Sequence, residues 1–300
     1  MQKTDKIIVD TEEPVRLDRY IRRHFPAITQ GIIEKALRKG DMRLNGSKTK
    51  TSVRVVDNDE ITYLTGLFEQ KGSGPKKSFS KPTIALAKKL ISEYILHSSD
   101  EFIAIDKPAG LAVQGGSKIT LSIDEALAYL NQTDGCEYKL VHRLDKETSG
   151  VLLIANGYSN AAKLGNAFTE RLIDKTYIAV VTGVPSNPHG NLVHNIGKDR
   201  SGIFEVVREL KEGGKEAETN YKVIAHEHRR SVIEFKPKTG RMHQLRFHAH
   251  FLGCPIIGDI KYGGEKSTRM LLHAKELIIT KPVFGKTIKI KSQLPHEFEF

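Results

Sequence analysis

Cysteine is scarce in this chain. Cys136 and Cys254 are the only two, far apart and in no CxxC pair. That argues against a disulfide framework or a zinc finger and fits a reducing compartment. Long apolar runs are missing as well, since no stretch approaches the ~20 residues of a membrane span. Glycine-rich phosphate loops are not persuasive either. GSGPKK (72 to 77) follows no strand-like run, and GGEK (263 to 266) lacks P-loop spacing, so nucleotide binding is unsupported. There is no nucleophile elbow and no internal repeat. Acidic residues are outnumbered, 36 against 47 Lys and Arg, for a net charge of +11. They are nonetheless well represented at the start, with Asp5, Asp10, Glu12 and Glu13 among the first sixteen residues. That argues against a targeting peptide, and a cytoplasmic protein is expected.

What is present begins with length. Three hundred residues suffice for two domains with a sizeable core. The cation excess points to a polyanionic partner, which for such a protein means nucleic acid. It is also concentrated: between Arg16 and Arg54 eleven Lys and Arg face three acids. Within that stretch Leu17, Tyr20 and Ile21 fall at helical spacing. Thr29 can cap a second helix whose buried stripe is Ile32, Ile33, Ala36 and Leu37, with Gly40 as its stop. Asn45-Gly46 signals a tight hairpin turn. Arg19, Arg22, Arg38, Lys39, Arg43 and Lys48 are the candidate backbone-binding cations of this module.

KGSGPKKSFSKP, from Lys71 to Pro82, reads as the start of a linker drawn from 71 to 90. The rest alternates strand-like and helix-like runs. FIAI from Phe102, VLLIA from Val151, KTYIAVVTG from Lys175, YKVIAHE from Tyr221, SVIEFKP from Ser231 and TIKIK from Thr287 predict strands. SIDEALAYL from Ser122 and SNAAKLGNAF, capped at Ser159, predict helices. The expected class is α+β, with a mixed, mainly antiparallel sheet.

The chemistry centres on HRLDKETSG, His142 to Gly150. Asp145 sits between Arg143 and Lys146, and nearby cations keep a carboxylate charged and oriented. Acid, base and nucleophile roles are all open to it. The plainer alternative is a turn cap on backbone N–H groups. RMHQLRFHAH gathers His243, His248 and His250 with Asp259 close behind, a possible metal cluster if the histidines lie on a strand. The interleaved Arg241 and Arg246 disfavour a cation there, so no metal is expected.

HRLDKETSG resembles the active-site motif of the RluA-type pseudouridine synthases. IDKPAGLAVQGG, DKTYIAVVTG, KEAETNYKV, KTGRMHQLRFH, GDIKYGG and LLHAKEL resemble further segments of that family, in order, over about residues 95 to 295. RLDRYI and LRKGDMRLNG resemble the alpha-L RNA-binding motif of ribosomal small-subunit protein S-four. The implied organisation is an alpha-L module at 14–70, the linker, and a catalytic domain at 91–300. An alpha-L module in front is typical of the RluC/RluD-like members acting on large-subunit ribosomal RNA. The resemblance implies a cofactor-free isomerisation of uridine to pseudouridine in that RNA, with Asp145 as the catalytic aspartate. Tyr177 would stack on the flipped base, Arg246 would pair with Asp145, and Leu272 would pack beneath the base. Arg143, Arg241, His243 and Gln244 would contact substrate. Ala155 is followed by Asn156 where the family often has lysine, which puts one RNA contact in doubt, and Met242 replaces a small hydroxyl residue. Transfer RNA as substrate, a non-catalytic ribosome-assembly factor, and a hydrolase using the histidines are the competing readings. A monomer is the default expectation.

Overall fold

The computed structural model describes residues 3–25, 28–67, 78–116, 119–199 and 206–299. The chain divides into two units, Met1–Ser78 and Phe79–Phe300.

The smaller unit holds β1 (Thr4–Ile8), β2 (Val15–Arg16), α1 (Leu17–His24), α2 (Gln30–Lys39), β3 (Met42–Leu44), β4 (Arg54–Val55) and β5 (Glu60–Leu64). It begins earlier than residue 14, because β1 pairs antiparallel with β5. Leu17, Tyr20 and Ile21 bury one face of α1. In α2 the Thr29 side chain accepts the Ile32 N–H and Gly40 closes the helix at φ 88°, a left-handed conformation that glycine adopts freely. Ile33, Ala36 and Leu37 are buried beneath it, with Ile32 at the edge of the same cluster. Asn45 and Gly46 both take positive φ, 48° and 75°, and make the tight turn from Leu44 to Ser47. The returning arm does not lengthen into a hairpin; the ladder partner of β3 is β5.

The larger unit holds α3 (Lys81–Ser92), β6 (Ile95–Ser98), β7 (Phe102–Lys107), α4 (Ile123–Thr133), β8 (Tyr138–Leu140), β9 (Ser149–Asn156), α5 (Tyr158–Thr169) and β10 (Ile173–Thr182). It continues with β11 (His189–Asp199), β12 (Val206–Glu209), β13 (Lys215–Glu227), β14 (Arg230–Pro237), α6 (Gln244–Phe251), β15 (Leu272–Ile279), α7 (Lys281–Phe284) and β16 (Ile288–Lys291). An eleven-stranded sheet runs β12-β11-β13-β14-β10-β15-β9-β7-β6, with β16 beside β15 and β8 beside β9. Its pairings are antiparallel except one, β15 with β9. That junction is two residues long, His273 to Ser149 and Ala274 to Gly150.

Three expectations need correction. Residues 81–90, assigned to the linker, are helical: Ser80 caps α3 by accepting the Thr83 N–H, and Pro82 lies in the first turn. Proline there costs no helical hydrogen bond, so it marks a start and not a break. Leu86, Ala87 and Leu90 then bury the helix against the core. Residues 71–77 of the linker lie outside the described residues. The helix expected from Ser159 starts one residue earlier, and Gly157 at its N-cap offers no side-chain cap. His248 and His250 sit on a helix, α6, where positions two apart face different sides.

Candidate active site

A cavity of about 720 Å³ on the larger unit is lined by the β8–β9 loop, the end of α5 and the turn after it, the face of β10 and β15, Lys198 of β11, and the stretch from β14 into α6. Among the described residues seven cations line it, Arg143, Arg171, Lys175, Lys198, Lys238, Arg241 and Arg246, against one carboxylate, Asp145. Such a wall favours a polyanion near that carboxylate.

The β8–β9 loop is held from several sides. His142 Nε2 accepts the Leu153 backbone N–H at 2.8 Å, in the middle of β9, where the ladder with β8 ends at Leu140 and Ile154. Its ring lies against Phe168, and burial drives its pKa down to about 3, so the ring is neutral. From below, the fully buried Lys107 donates to the carbonyls of Pro108, Leu111 and Lys146, at 2.8, 2.9 and 3.0 Å. The Gly110 N–H also reaches the Lys146 carbonyl. Gly150 then passes so close to β15 that a Cβ would collide with the Ala274 carbonyl oxygen. Only glycine fits there, at φ 107°.

Asp145 does not act as a turn cap through its carboxylate. Its main-chain carbonyl takes the Thr148 N–H, while Oδ2 lies 3.5 Å from Arg246 Nη1 and 3.9 Å from His243 Nε2. Arg246 is oriented by a second carboxylate: Asp259 accepts from Nε at 2.6 Å and from Nη2 at 2.7 Å. The guanidinium also lies over the Tyr262 ring, 5.0 Å from its centroid. Burial alone would lower the Arg246 pKa, but the hydrogen bonds and charge of Asp259, with Asp145 beyond, raise it. Tyr177 lines the same cavity and packs against the cluster that contains Leu272. Burial, and then the charge of Asp145, push its phenol far above the ordinary range, so it stays neutral.

A fixed carboxylate paired with arginine, beside a neutral phenol and an apolar floor, suits work on a flat uncharged ring tied to an anionic backbone. Comparison with known proteins identifies the class. Residues 101–251 match the family model described as RNA pseudouridylate synthase. Ribosomal large subunit pseudouridine synthase C of Rickettsia bellii is 47% identical, over 97% of this chain and 99% of the relative. Its Vibrio vulnificus counterpart is 29% identical, over 99% and 96%. The solved structure of human RNA pseudouridylate synthase domain containing 4 covers 72% of this chain and 94% of its own, at 28% identity and TM-score 0.60. The chain belongs to the RNA pseudouridylate synthase family.

Pseudouridylate synthases are isomerases, so the site needs to break and remake a bond on one nucleotide. Of the residues marked from the sequence, Arg143, Asp145, Tyr177, Arg241, His243, Arg246 and Leu272 all line the cavity. Arg143 and Arg241 are exposed and Leu272 is buried. Gln244 lines the cavity as well, with its carboxamide engaged by the protein itself. Its carboxamide donates to the Glu218 carbonyl and Thr219 Oγ1 and accepts from Thr239 Oγ1 and the Arg241 N–H. Both hydrogens and the oxygen are spent on shaping the loop that carries Arg241 and His243. The histidines face separate partners: His248 Nδ1 meets Thr219 Oγ1, and His250 Nδ1 the Tyr262 carbonyl. Among the described residues no group of three His, Cys, Asp or Glu is placed to hold a metal. Sequence reasoning missed Lys107, Tyr262 and the pairing of Asp259 with Arg246. The signal available was GDIKYGG itself, where an acid and an aromatic follow a glycine turn.

Proposed function

We propose that this synthase isomerises specific uridines of large-subunit ribosomal RNA, with Asp145 carrying the chemistry. The observation that carries the reading is the Asp145–Arg246 pair inside a cavity lined by seven cations. The relatives named ribosomal large subunit pseudouridine synthase C, matched along nearly the whole chain, support the choice of RNA.

A uridine in folded RNA must leave its stack first. In this reading Tyr177 packs against the extruded base and Leu272 lies beneath it. Arg143 and Arg241 hold flanking phosphates, and Arg246 keeps Asp145 aimed at the nucleotide. The bond from ribose to N1 breaks, the uracil turns, and C5 joins the same sugar carbon; C5 then loses its proton and N1 takes one up, so the step balances with no cofactor consumed. The smaller unit serves as an alpha-L-type RNA-binding module. Its exposed Arg19, Arg22, Arg38, Lys39, Arg43 and Lys48 would contact the phosphate backbone. The same reading has the enzyme working in the cytoplasm as a monomer. Among the described residues no helix is long and apolar enough to cross a membrane.

The test is Asp145→Asn incubated with an unmodified large-subunit rRNA transcript. Pseudouridine formation is expected to fall below detection while the urea unfolding midpoint stays near wild type. Near wild-type turnover by the variant would refute the assignment.

A further inference from the structure

His243 stands at the head of α6 in the left-handed region, φ 52° and ψ 20°. A residue with a Cβ is uncommon there and is tolerated when surrounding contacts over-determine it. Those contacts are specific. His243 Nδ1 lies 3.1 Å from the Tyr262 hydroxyl, and Nε2 lies 3.9 Å from Asp145 Oδ2. The Tyr262 hydroxyl oxygen already accepts the Val207 N–H at 2.7 Å. The phenol's own hydrogen needs an acceptor, and among the described residues His243 Nδ1 is the one within reach. Burial pushes the Tyr262 pKa up to about 12, so that hydrogen is retained. Burial also pulls His243 down to about 4, with Asp145 opposing and Arg246 and Lys261 reinforcing, so the ring is neutral. A neutral imidazole that accepts at Nδ1 carries its hydrogen on Nε2.

We infer that Tyr262 locks His243 as the Nε2–H tautomer, and that this N–H is the second protein donor to Asp145 Oδ2. It acts beside Arg246 and leaves Oδ1 free for the nucleotide. The inference rests on Asp145 being the reacting carboxylate. His243 is then a positioning residue that acts through Asp145, in place of the substrate contact its motif implied. The 3.9 Å separation is long for a hydrogen bond in the free enzyme, and such contacts tighten when substrate fills the site.

The first measurement is a long-range proton–nitrogen NMR spectrum of protein labelled with ¹⁵N-histidine, with His243→Gln used to assign the signal. At pH 7 His243 is expected as the Nε2–H form, and Tyr262→Phe is expected to move it toward a mixture of tautomers. An Nδ1–H form or an imidazolium in the wild type overturns the inference. The second is turnover on the unmodified rRNA transcript. His243→Ala is expected to lower kcat roughly 10- to 100-fold with KM within about threefold, the usual cost of losing an orienting partner. His243→Gln, which restores an N–H donor, should recover most of the loss. A raised KM with unchanged kcat would make His243 an RNA contact and overturn the positioning role. A wild-type protein that forms no pseudouridine would instead sink the proposed function, and the NMR result would still decide the tautomer.

Discussion

At the scale of single residues the site depends on how Arg246 divides its donors. Asp259, 2% exposed, takes Nε and Nη2, and Nη1 is left toward Asp145. Asp259 therefore sets the plane of the guanidinium, and Asp145 meets an edge already in place. Asp259→Ala should cost about 3–5 kcal/mol, because it strands a buried cation with one partner. Urea unfolding measures this; a change below about 1 kcal/mol would mean that water readily replaces Asp259. Asp145 was legible because a carboxylate between cations in a long mixed motif is an unusual pattern, and Arg246 followed from resemblance. Asp259 was not, because its partnership comes from a chain reversal after α6 and has no helical or strand period. Lys107 escaped for another reason. Lysine is rarely buried, and nothing in DKPAG announces three carbonyls converging on one amine.

Elements were more legible than their arrangement. Apolar spacing marked α1, α2 and α4, and β-branched runs marked β7, β9, β10, β13, β14 and β16, since each pattern is local. The sheet order was not accessible, because it depends on pairings between residues far apart in the chain. The decisive pairing is the shortest, β9 beside β15 through Ser149–His273 and Gly150–Ala274. It joins the half of the sheet that carries Tyr177 to the half that leads out of the Asp145 loop. A buried Ser149 Oγ bonded to His273 Nδ1 at 2.8 Å adds a side-chain tie across the same junction. Gly150→Ala should therefore prise the halves apart, since its Cβ would run into the Ala274 carbonyl. A loss above about 3 kcal/mol in urea unfolding is expected, at the severe end for one substitution. Gly110→Ala is the control. It has φ 79° but open space around the added Cβ, so only the backbone cost of roughly 1–2 kcal/mol applies. Equal losses at both positions would show that the close approach to β15 contributes nothing.

For the molecule as a whole, charge placement separates two tasks that one net value hides. Eleven Lys and Arg against three acids from Arg16 to Arg54 give that stretch most of the chain's +11. The cavity of the larger unit holds a smaller cationic ring around Asp145. The first set should therefore govern how tightly RNA is held, and the second how the nucleotide is presented. Arg19, Arg22, Arg38 and Lys39 are exposed on α1 and α2, so replacing all four with Gln spares the buried stripes of both helices. Each cation that no longer neutralises a phosphate lowers the slope of log affinity against log salt by roughly 0.7 to 0.9. The quadruple variant should therefore flatten that slope by up to about 3.6, and KM should rise at physiological salt. At saturating RNA kcat should stay near wild type, because none of the four lines the cavity. A binding titration of the 300-residue chain across a range of salt concentrations, paired with single-turnover rates at saturating enzyme, separates the two quantities. An unchanged slope would remove this helical pair from the RNA-binding surface, and a fallen saturating rate would mean that it helps to shape the reacting complex.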